Sequence, residues 1–170
     1  KTKLEGENAI LSIMKFNATI IRTSWVYSEY GNNFVSTIIK LTQKNNNLNI
    51  VFDQVGTPTY AGDLGQAILN IIKNKKFNEP DRVTGIYHYS NEGECSWYDF
   101  AKEITNISGY KCTLSPINSE DYPTAARRPR NTIMSKDKIS KEFGLKIIFW
   151  KDSLKCCMKN LSTLSPLNKE

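Results

Sequence analysis

Histidine is nearly absent from this sequence, and its few cysteines follow no metal-binding pattern. The single histidine, His88, argues against a Ser-His-Asp triad and against a metal site with several histidine ligands. None of the four cysteines forms a C-x-x-C pair, and Cys156 and Cys157 are adjacent, which suits neither a zinc knuckle nor a disulfide. We therefore expect free thiols in a reducing, cytoplasmic compartment.

Long apolar runs and glycine-rich nucleotide-binding motifs are also missing. No run approaches the roughly 18 apolar residues of a membrane-spanning helix, so no membrane partner is predicted. Neither G-x-G-x-x-G nor the phosphate-loop motif occurs, so the phosphate end of any nucleotide cofactor would bind outside this chain. The chain lacks an initiating methionine and a signal-peptide pattern, and we expect it to begin within a helix of a longer protein.

The composition that is present indicates a globular chain with a mild basic bias. With 170 residues, of which 39% are hydrophobic, the chain can form one domain around one core. The formal net charge is +6, but the lysines and arginines are spread along the sequence and are not interleaved with aromatic residues on one element. We therefore predict no nucleic-acid partner, although the charge favours an anionic small molecule.

Hydrophobic periodicity and turn residues predict alternating helices and strands. An asparagine of YGNNF and Ser96 are placed to cap helices, whereas Gly56 and Pro58 predict an irregular loop. The order of elements indicates an α/β fold with at least some parallel strands. Helices are predicted at 2–15, from Phe34 to about Gln43, around Leu64–Ile72, between Ser96 and Gly109, between Ser135 and Gly144 and around Leu154–Leu161, and strands at 18–27, 48–53, 85–90 and 112–117.

Three polar segments contain more than a core requires. RTSWVY (22–27) lies where a buried strand ends, and DQVGTPTY (53–60) connects two predicted elements. ARRPRNT (126–132) concentrates three arginines in a proline-stiffened loop, and arginine binds phosphate in a bidentate manner. Each segment alone is compatible with a structural role. Ligands of open α/β sheets bind at the carboxyl ends of the strands, so the three segments would form a site if they meet there.

The chain resembles one enzyme family through segments that occur in the family's order: KTKLEGE, RTSWVY, GNNF, DQVGTPT, GIYHYSN, SWYDFA and YPTAARRPRNT. The resemblance is to the dTDP-4-dehydrorhamnose reductase family of the extended short-chain dehydrogenase/reductase superfamily, and it runs from Lys1 to about Leu161. It implies the C-terminal portion of an NAD(P)-binding, Rossmann-type α/β fold. Residues 1–170 would hold the last Rossmann helix and strand plus the substrate-binding lobe, and the N-terminal cofactor-binding part would be absent.

The resemblance also implies an activity for the full-length parent protein. Family members reduce dTDP-4-dehydrorhamnose to dTDP-L-rhamnose in dTDP-rhamnose biosynthesis, with NADPH or NADH bound mainly by the N-terminal part. Their catalytic pair is Tyr-x-x-x-Lys, in which the lysine lowers the pKa of the tyrosine and hydrogen-bonds the nicotinamide ribose. KTKLEGE places Lys3 at the lysine position, and the tyrosine would stand two residues before Lys1. The fragment would supply the substrate-binding part and be inactive alone.

The substrate-binding residues are implied by the same resemblance. Trp25 matches the family's substrate-contacting tryptophan, whose apolar face suits a deoxysugar ring. Asn32, Asn33, Thr59 and Arg128 would line or brace the substrate cleft, with Arg128 near the diphosphate. These residues define a candidate site for a dTDP-sugar.

The sequence leaves open the assembly of the protein and the exact class of relative to which it belongs. The expected partner is a dTDP-sugar substrate, and a homodimer is an open alternative. Some family members bind Mg²⁺ between subunits. In this chain either Gly62 or Asp63 matches the family's ligand position, so no metal is predicted. The chain could instead come from another sugar-nucleotide dehydrogenase or epimerase of the extended type, or from a non-catalytic relative that binds or regulates. A tyrosine two residues before Lys1 would favour an enzyme.

Overall fold

A computed structural model of the chain describes residues 2–15, 18–75, 85–122 and 128–164. Within these ranges the helices are α1 (Thr2–Met14), α2 (Phe34–Lys44), α3 (Ala61–Lys73), α4 (Trp97–Ser108), α5 (Asp137–Phe143) and α6 (Trp150–Leu164). The strands are β1 (Thr19–Arg22), β2 (Val26–Tyr27), β3 (Asn47–Val51), β4 (Val55–Gly56), β5 (Thr59–Tyr60), β6 (Gly85–His88), β7 (Cys95–Ser96) and β8 (Thr113–Ile117). A 3₁₀ turn follows β8 at Ser119–Asp121.

The strands pair two by two, and most pairs are parallel. β1 pairs with β6, β2 with β5 and β3 with β8 in parallel, whereas β4 pairs with β7 in the antiparallel sense. In the first pair, Arg22 at the end of β1 lies opposite His88 at the end of β6. The predicted α/β class with parallel strands is therefore confirmed.

Two predictions about strands are wrong. The strand predicted at 18–27 is interrupted because Trp25 adopts a left-handed backbone conformation, with φ of 48°, which an extended strand cannot contain. The loop predicted to be irregular contains β4 and β5, since Gly56 can pair with Cys95 and Thr59 starts a second short strand. Pro58 lies between these two strands, where the ladder needs no N–H from it.

The predicted helix ends are largely confirmed. The side chain of Asn33 caps α2, and that of Ser96 caps α4, each within a reciprocal capping box. Gly109 and Gly144 follow α4 and α5 with φ of 72° and 66°, the left-handed conformation that glycine adopts at low cost.

The start of α5 differs from its prediction. Ser135 was expected to cap this helix, but the capping position is taken by Lys136, whose side chain makes no capping hydrogen bond. Ser135 lies one residue further out, and its hydroxyl accepts a hydrogen bond from the backbone N–H of Asp137 at 3.4 Å. The serine therefore supports the first turn without being the cap.

Two buried clusters hold these elements together. Cys157 belongs to the larger one, where burial raises the pKa of its thiol to about 12. The larger cluster joins α2, α4, α6 and the short strands through Tyr27, Val35, Ile38, Phe100, Ile104, Trp150 and Leu154. The smaller one joins α3, α5 and β6 through Ala67, Ile71, Tyr87, Tyr89, Ile139 and Phe143.

A buried polar cluster ties α3 to α6. Asn91 is fully buried, and its amide donates to the Asp63 carboxylate at 2.6 Å and to the Ser153 hydroxyl at 2.8 Å. Ser153 also donates to Asp63, and the carbonyl of Asn91 accepts from the backbone N–H of Tyr60 at 2.8 Å. Asp63 is thus engaged by neutral donors that fix the start of α3.

Among the residues that the structure describes, no helix is both long enough and apolar enough to cross a lipid bilayer.

Candidate functional site

The structure brings described residues of the three polar segments together, while Ala126 and Arg127 of ARRPRNT lie outside the described residues. The backbone N–H of Thr59 donates to the carbonyl of Trp25 at 3.1 Å, which joins DQVGTPTY to RTSWVY. Val55 and the ARRPRNT segment exchange two backbone hydrogen bonds, from Val55 to Arg130 at 2.8 Å and from Thr132 to Val55 at 2.9 Å. Segments that are distant in sequence therefore share one small region.

Trp25 lies at the centre of this region. Its indole stacks on that of Trp97, with ring centroids 3.6 Å apart and planes 12° from parallel. It also lies against Gly56, where an added Cβ would approach the indole to 2.8 Å. One face of Trp25 is thus covered by Trp97, and a ligand would meet the aromatic pair rather than an isolated ring.

Buried hydroxyl groups fix the backbone on either side of Trp25. The hydroxyl of Thr59, which is fully buried, donates to the carbonyl of Ser24 at 2.6 Å and accepts from Thr23 at 3.2 Å. The hydroxyl of Ser24 donates to the carbonyl of Thr57 at 3.0 Å. Thr59 therefore braces the tryptophan loop and is not open to a ligand.

A cleft of about 410 Å³ borders this region, between α2 and β3. Arg128 is the charged residue of its lining, and it makes no ion pair within the described part of the chain. The remaining lining is mainly apolar and aromatic, which is typical of a site for a small organic ligand. It consists of Phe34, Thr37, Ile38, Leu41, Leu48, Asn49, Ile50, Val51, Gln54, Trp97 and Tyr122.

A carboxylate orders the loops at the end of this cleft. Asp53 accepts hydrogen bonds from the hydroxyl of Ser119 at 2.6 Å and from its backbone N–H at 2.8 Å, and these bonds hold the pKa of Asp53 below its ordinary value. Gln54 donates to the same hydroxyl at 2.9 Å, and the guanidinium of Arg130 lies 3.9 Å from Asp53. The ends of β3 and β8 are thereby joined to the arginine loop.

The two asparagines have different surroundings. Asn33 uses its carbonyl to cap α2 and its amide to donate to the carbonyls of Ser28 at 2.8 Å and Tyr30 at 3.2 Å. Its polar groups are therefore engaged in holding the loop before α2. Asn32 is exposed, and its carbonyl accepts from Lys40 at 3.4 Å.

Lys3 stands apart from the other candidate residues. It is exposed on α1, and no hydrogen bond or ion pair within the described residues joins it to the cleft. The side-chain link from α1 to RTSWVY is made by Glu7, whose carboxylate accepts from both Arg22 Nε at 2.8 Å and Arg22 Nη2 at 2.5 Å.

Sequence reasoning missed the aromatic residues that complete the cleft. Trp97 and Phe34 are the first residues of α4 and α2, directly after the capping residues Ser96 and Asn33. An aromatic side chain at that point of a helix was a usable signal, because helix starts and ligand sites lie at the same edge of α/β sheets. Tyr122 had no comparable signal.

A second, larger groove lies elsewhere. It has a volume of about 710 Å³ and is formed by α2, α4 and α6, and it contains none of the predicted site residues. Three lysines (Lys40, Lys155 and Lys159) and Glu29 lie along it. Its size alone does not make it the better candidate, because it lacks contact with the three converging segments.

Cofactor and metal binding were considered against the residues present. The family resemblance assigns contact with a nicotinamide ribose to Lys3, which is exposed on α1, and the sequence contains no glycine-rich dinucleotide motif. In the described parts of the chain no cluster of three or more His, Cys, Asp or Glu side chains is arranged for a metal ion. The prediction of no metal stays a prediction.

Comparisons with known proteins point to one group. Residues 1–163 match the family model described as RmlD substrate binding domain. A dTDP-4-dehydrorhamnose reductase of Sinorhizobium fredii is 41% identical over 157 residues, which covers 90% of this chain and 53% of that protein. The chain spans about half the length of the curated relatives it matches.

Solved structures agree with this match. A crystal structure of a dTDP-4-dehydrorhamnose reductase from Clostridium acetobutylicum matches with a TM-score of 0.85 at 36% identity. The match covers 95% of this chain and 54% of the chain in that crystal structure. The Bacillus anthracis dTDP-4-dehydrorhamnose reductase in complex with NADP has a TM-score of 0.79 at 32% identity, covering 90% of this chain and 51% of its own.

Proposed function

Because the chain belongs to the family of RmlD substrate binding domains, we propose that it is the substrate-binding part of an NAD(P)H-dependent reductase that converts dTDP-4-dehydrorhamnose to dTDP-L-rhamnose. Similar proteins of about twice its length carry the name dTDP-4-dehydrorhamnose reductase. The observation that supports the proposal best is that described residues of RTSWVY, DQVGTPTY and ARRPRNT meet, with Gln54 and Arg128 in the lining of one cleft and Trp25 stacked on its lining residue Trp97.

The cleft has the chemistry that a dTDP-sugar requires. Its aromatic and apolar lining, with Trp97 and Phe34, suits a pyrimidine base and a deoxysugar, since both present flat or apolar faces. Arg128 supplies a guanidinium that makes no ion pair with the described residues, and a guanidinium can bind a diphosphate through two parallel hydrogen bonds. Trp97 and Phe34 form the aromatic surface of the cleft, Trp25 stacks on Trp97 from outside the lining, and Asn33 and Thr59 act by bracing the neighbouring loops.

Lys3 is the chain's contribution to catalysis in this proposal. The bound nicotinamide supplies the hydride for the 4-keto carbon. Lys3 hydrogen-bonds the nicotinamide ribose, and its ammonium charge lowers the pKa of the tyrosine that donates the proton. The N-terminal part of the full-length protein supplies the remaining cofactor contacts and this tyrosine. In this proposal the protein acts in the cytoplasm as part of polysaccharide precursor synthesis, without nucleic acid or membrane partners, and a homodimer is an open alternative for its assembly.

Calorimetry on the full-length protein tests the assignment of the cleft. We expect dTDP to bind the unaltered protein, and Arg128→Met to weaken the binding about tenfold or more, because a charge-assisted hydrogen bond to the diphosphate is lost. Trp25→Ala should also weaken it, since the indole pair loses one member. Lys155→Met, on the exposed side of α6, is the matched control and should bind dTDP as the unaltered protein does. Equal affinity in all four proteins would contradict the proposed site.

A kinetic assay of the same protein tests the reaction. We expect one NADPH to be oxidised for each dTDP-4-dehydrorhamnose consumed. Turnover of the sugar nucleotide without net NADPH consumption would indicate an epimerase instead, and absence of turnover with dTDP binding intact would indicate a non-catalytic relative.

A further inference from the structure

Helix α1, which carries Lys3, is held only weakly by packing. None of its described side chains is buried, and four of its large apolar residues are exposed, Leu4 at 54%, Ile10 at 45%, Ile13 at 77% and Met14 at 45%. Apolar contacts within the described residues therefore do little to fix the direction of Lys3. Within the described residues, the side-chain contact that joins α1 to the candidate site is polar.

The strongest polar contact of α1 is the ion pair between Glu7 and Arg22. Both carboxylate oxygens are engaged, at 2.8 Å by Nε and at 2.5 Å by Nη2 of the guanidinium, which is the two-pronged geometry that fixes both distance and orientation. The Glu7 side chain is 15% exposed and that of Arg22 is 41% exposed. The pair is thus partly shielded from water on the carboxylate side.

Arg22 is itself held firmly. It ends β1, lies opposite His88 of β6, and its carbonyl accepts a hydrogen bond from the backbone N–H of Tyr89 at 2.9 Å. The next residue, Thr23, begins the loop that carries Trp25. The guanidinium therefore extends from a fixed strand end that is shared with the candidate substrate site.

Glu7 and Lys3 are neighbours on one face of α1. Residues four apart in a helix face the same side, and a lysine and a glutamate at this spacing can form an ion pair. Here both oxygens of Glu7 are engaged by Arg22, and Lys3 makes no ion pair within the described residues. An ammonium paired with Glu7 would be drawn away from a cofactor ribose and would have less effect on a nearby tyrosine.

We propose that Arg22 is a positioning residue for Lys3, which it keeps unpaired by engaging both carboxylate oxygens of Glu7. This inference rests on the proposed function, which assigns the catalytic lysine to position 3. Nothing in the family match requires it, since the match assigns no role to Arg22 or Glu7. Arginine suits the role because its planar fork occupies two oxygens at once, whereas lysine would leave one oxygen of Glu7 for Lys3.

Steady-state kinetics of full-length variants test this inference. Arg22→Met frees the Glu7 carboxylate, and we expect kcat to fall about 10- to 100-fold with little change in KM for the sugar nucleotide, because the reacting groups are misplaced while substrate contacts remain. Combining Arg22→Met with Glu7→Gln removes the competing charge. This double variant should recover kcat to within about fivefold of the unaltered protein. If the ion pair only stabilised the fold, the second substitution would not restore kcat.

The matched control is an ion pair of similar exposure elsewhere. Lys151 and Glu103 join α6 to α4 at 3.4 Å, with side chains 45% and 20% exposed, so Lys151→Met removes a comparable contact far from Lys3 in sequence. This variant should keep kcat and KM. Thermal unfolding of every variant shows whether a loss of kcat comes from loss of folded protein.

The outcomes separate the two proposals. Full activity of Lys3→Met would refute the assignment of Lys3 as the catalytic lysine. It would also refute the role proposed for Arg22. If Lys3→Met is inactive but Arg22→Met is as active as the unaltered protein, the proposed function stands and the role of Arg22 is refuted. A double variant no more active than Arg22→Met would also refute it, because the competing carboxylate would then be irrelevant.

Discussion

Gly56 shows how a single missing side chain shapes the candidate site. An ideal Cβ at this position would overlap the hydroxyl of Thr132 and approach the indole of Trp25 to 2.8 Å. Those two residues belong to different polar segments, and Gly56 belongs to the third. The absence of a side chain at position 56 therefore allows the three segments to approach one another.

We expect Gly56→Ala to lower the free energy of unfolding by about 1–3 kcal/mol, the usual cost of placing extra volume in a packed region. The same change should weaken dTDP binding, since Trp25 must move to admit the methyl group. Urea unfolding and calorimetry of the full-length protein measure the two effects.

Gly65→Ala is the matched control for this prediction. Gly65 lies in α3, and an added Cβ would meet nothing within 4 Å. Alanine has the higher helix propensity, so this variant should raise the free energy of unfolding by up to about 1 kcal/mol and leave dTDP binding unchanged. Equal destabilisation by both changes would contradict the role given to Gly56.

The residues of the candidate site were predictable to different degrees. RTSWVY and ARRPRNT were identified from their unusual composition and from the family resemblance, which led to Trp25 and Arg128. Trp97 was not predicted, because its contact with Trp25 joins residues that are 72 positions apart (97 minus 25) and depends on how α4 meets the loop. The pairing of Glu7 with Arg22 was missed for the same reason.

Among the elements, the caps made the helices easier to predict than the strands. Ser96 and Gly109 bound α4 in the sequence as they do in the structure, since capping and left-handed glycine are local effects. The short strands β4 and β5 depend on partners far along the chain, Cys95 for one and Val26 for the other. Local patterns such as G-T-P-T therefore indicate a turn where the structure has paired backbone.

Helix α2 provides a prediction about its cap. Asn33→Ala removes the hydrogen bond to the backbone N–H of Ser36 and the two donated to the loop before the helix. We expect the free energy of unfolding to fall by about 1–2 kcal/mol, the usual cost of losing a helix cap. Chemical unfolding of the full-length protein measures it.

Two further variants make this prediction specific. Asn33→Asp keeps an oxygen that can cap α2 but loses the amide donor, so its stability should lie between those of Asn33→Ala and the unaltered protein. Asn32→Ala changes an exposed neighbour with one long contact to Lys40, and it should alter the free energy of unfolding by less than about 0.5 kcal/mol. A larger effect at position 32 than at position 33 would contradict the assignment of the cap.

At the scale of the whole molecule, carboxylates link separate parts of the chain. Glu7 joins α1 to β1, and hydrogen bonding from Arg22 holds the pKa of Glu7 below its ordinary 4.5. Asp53 joins the ends of β3 and β8, and hydrogen bonds from Ser119 hold the pKa of Asp53 below its ordinary 3.8. Both carboxylates therefore stay ionised in the folded chain at pH values where the unfolded chain begins to take up a proton.

The sign of the resulting pH dependence follows from this difference. A lowered folded-state pKa contributes stability that is fully present above the ordinary pKa and is lost as the pH falls through the folded value. We expect the free energy of unfolding of the full-length protein to decrease from about pH 5 to about pH 3, and to decrease less steeply in Asp53→Asn.

The stacked rings of Trp25 and Trp97 also give the chain an optical signature. Indoles whose centroids are 3.6 Å apart can couple their excited states, and we expect the pair to add an exciton couplet to the far-ultraviolet circular dichroism of the chain. The third tryptophan of the chain, Trp150, packs edge-on against Phe100 and lacks a parallel partner of this kind among the described residues. A molecule that enters beside the stacked pair alters their coupling, so occupancy of the cleft can be followed spectroscopically without attaching a label.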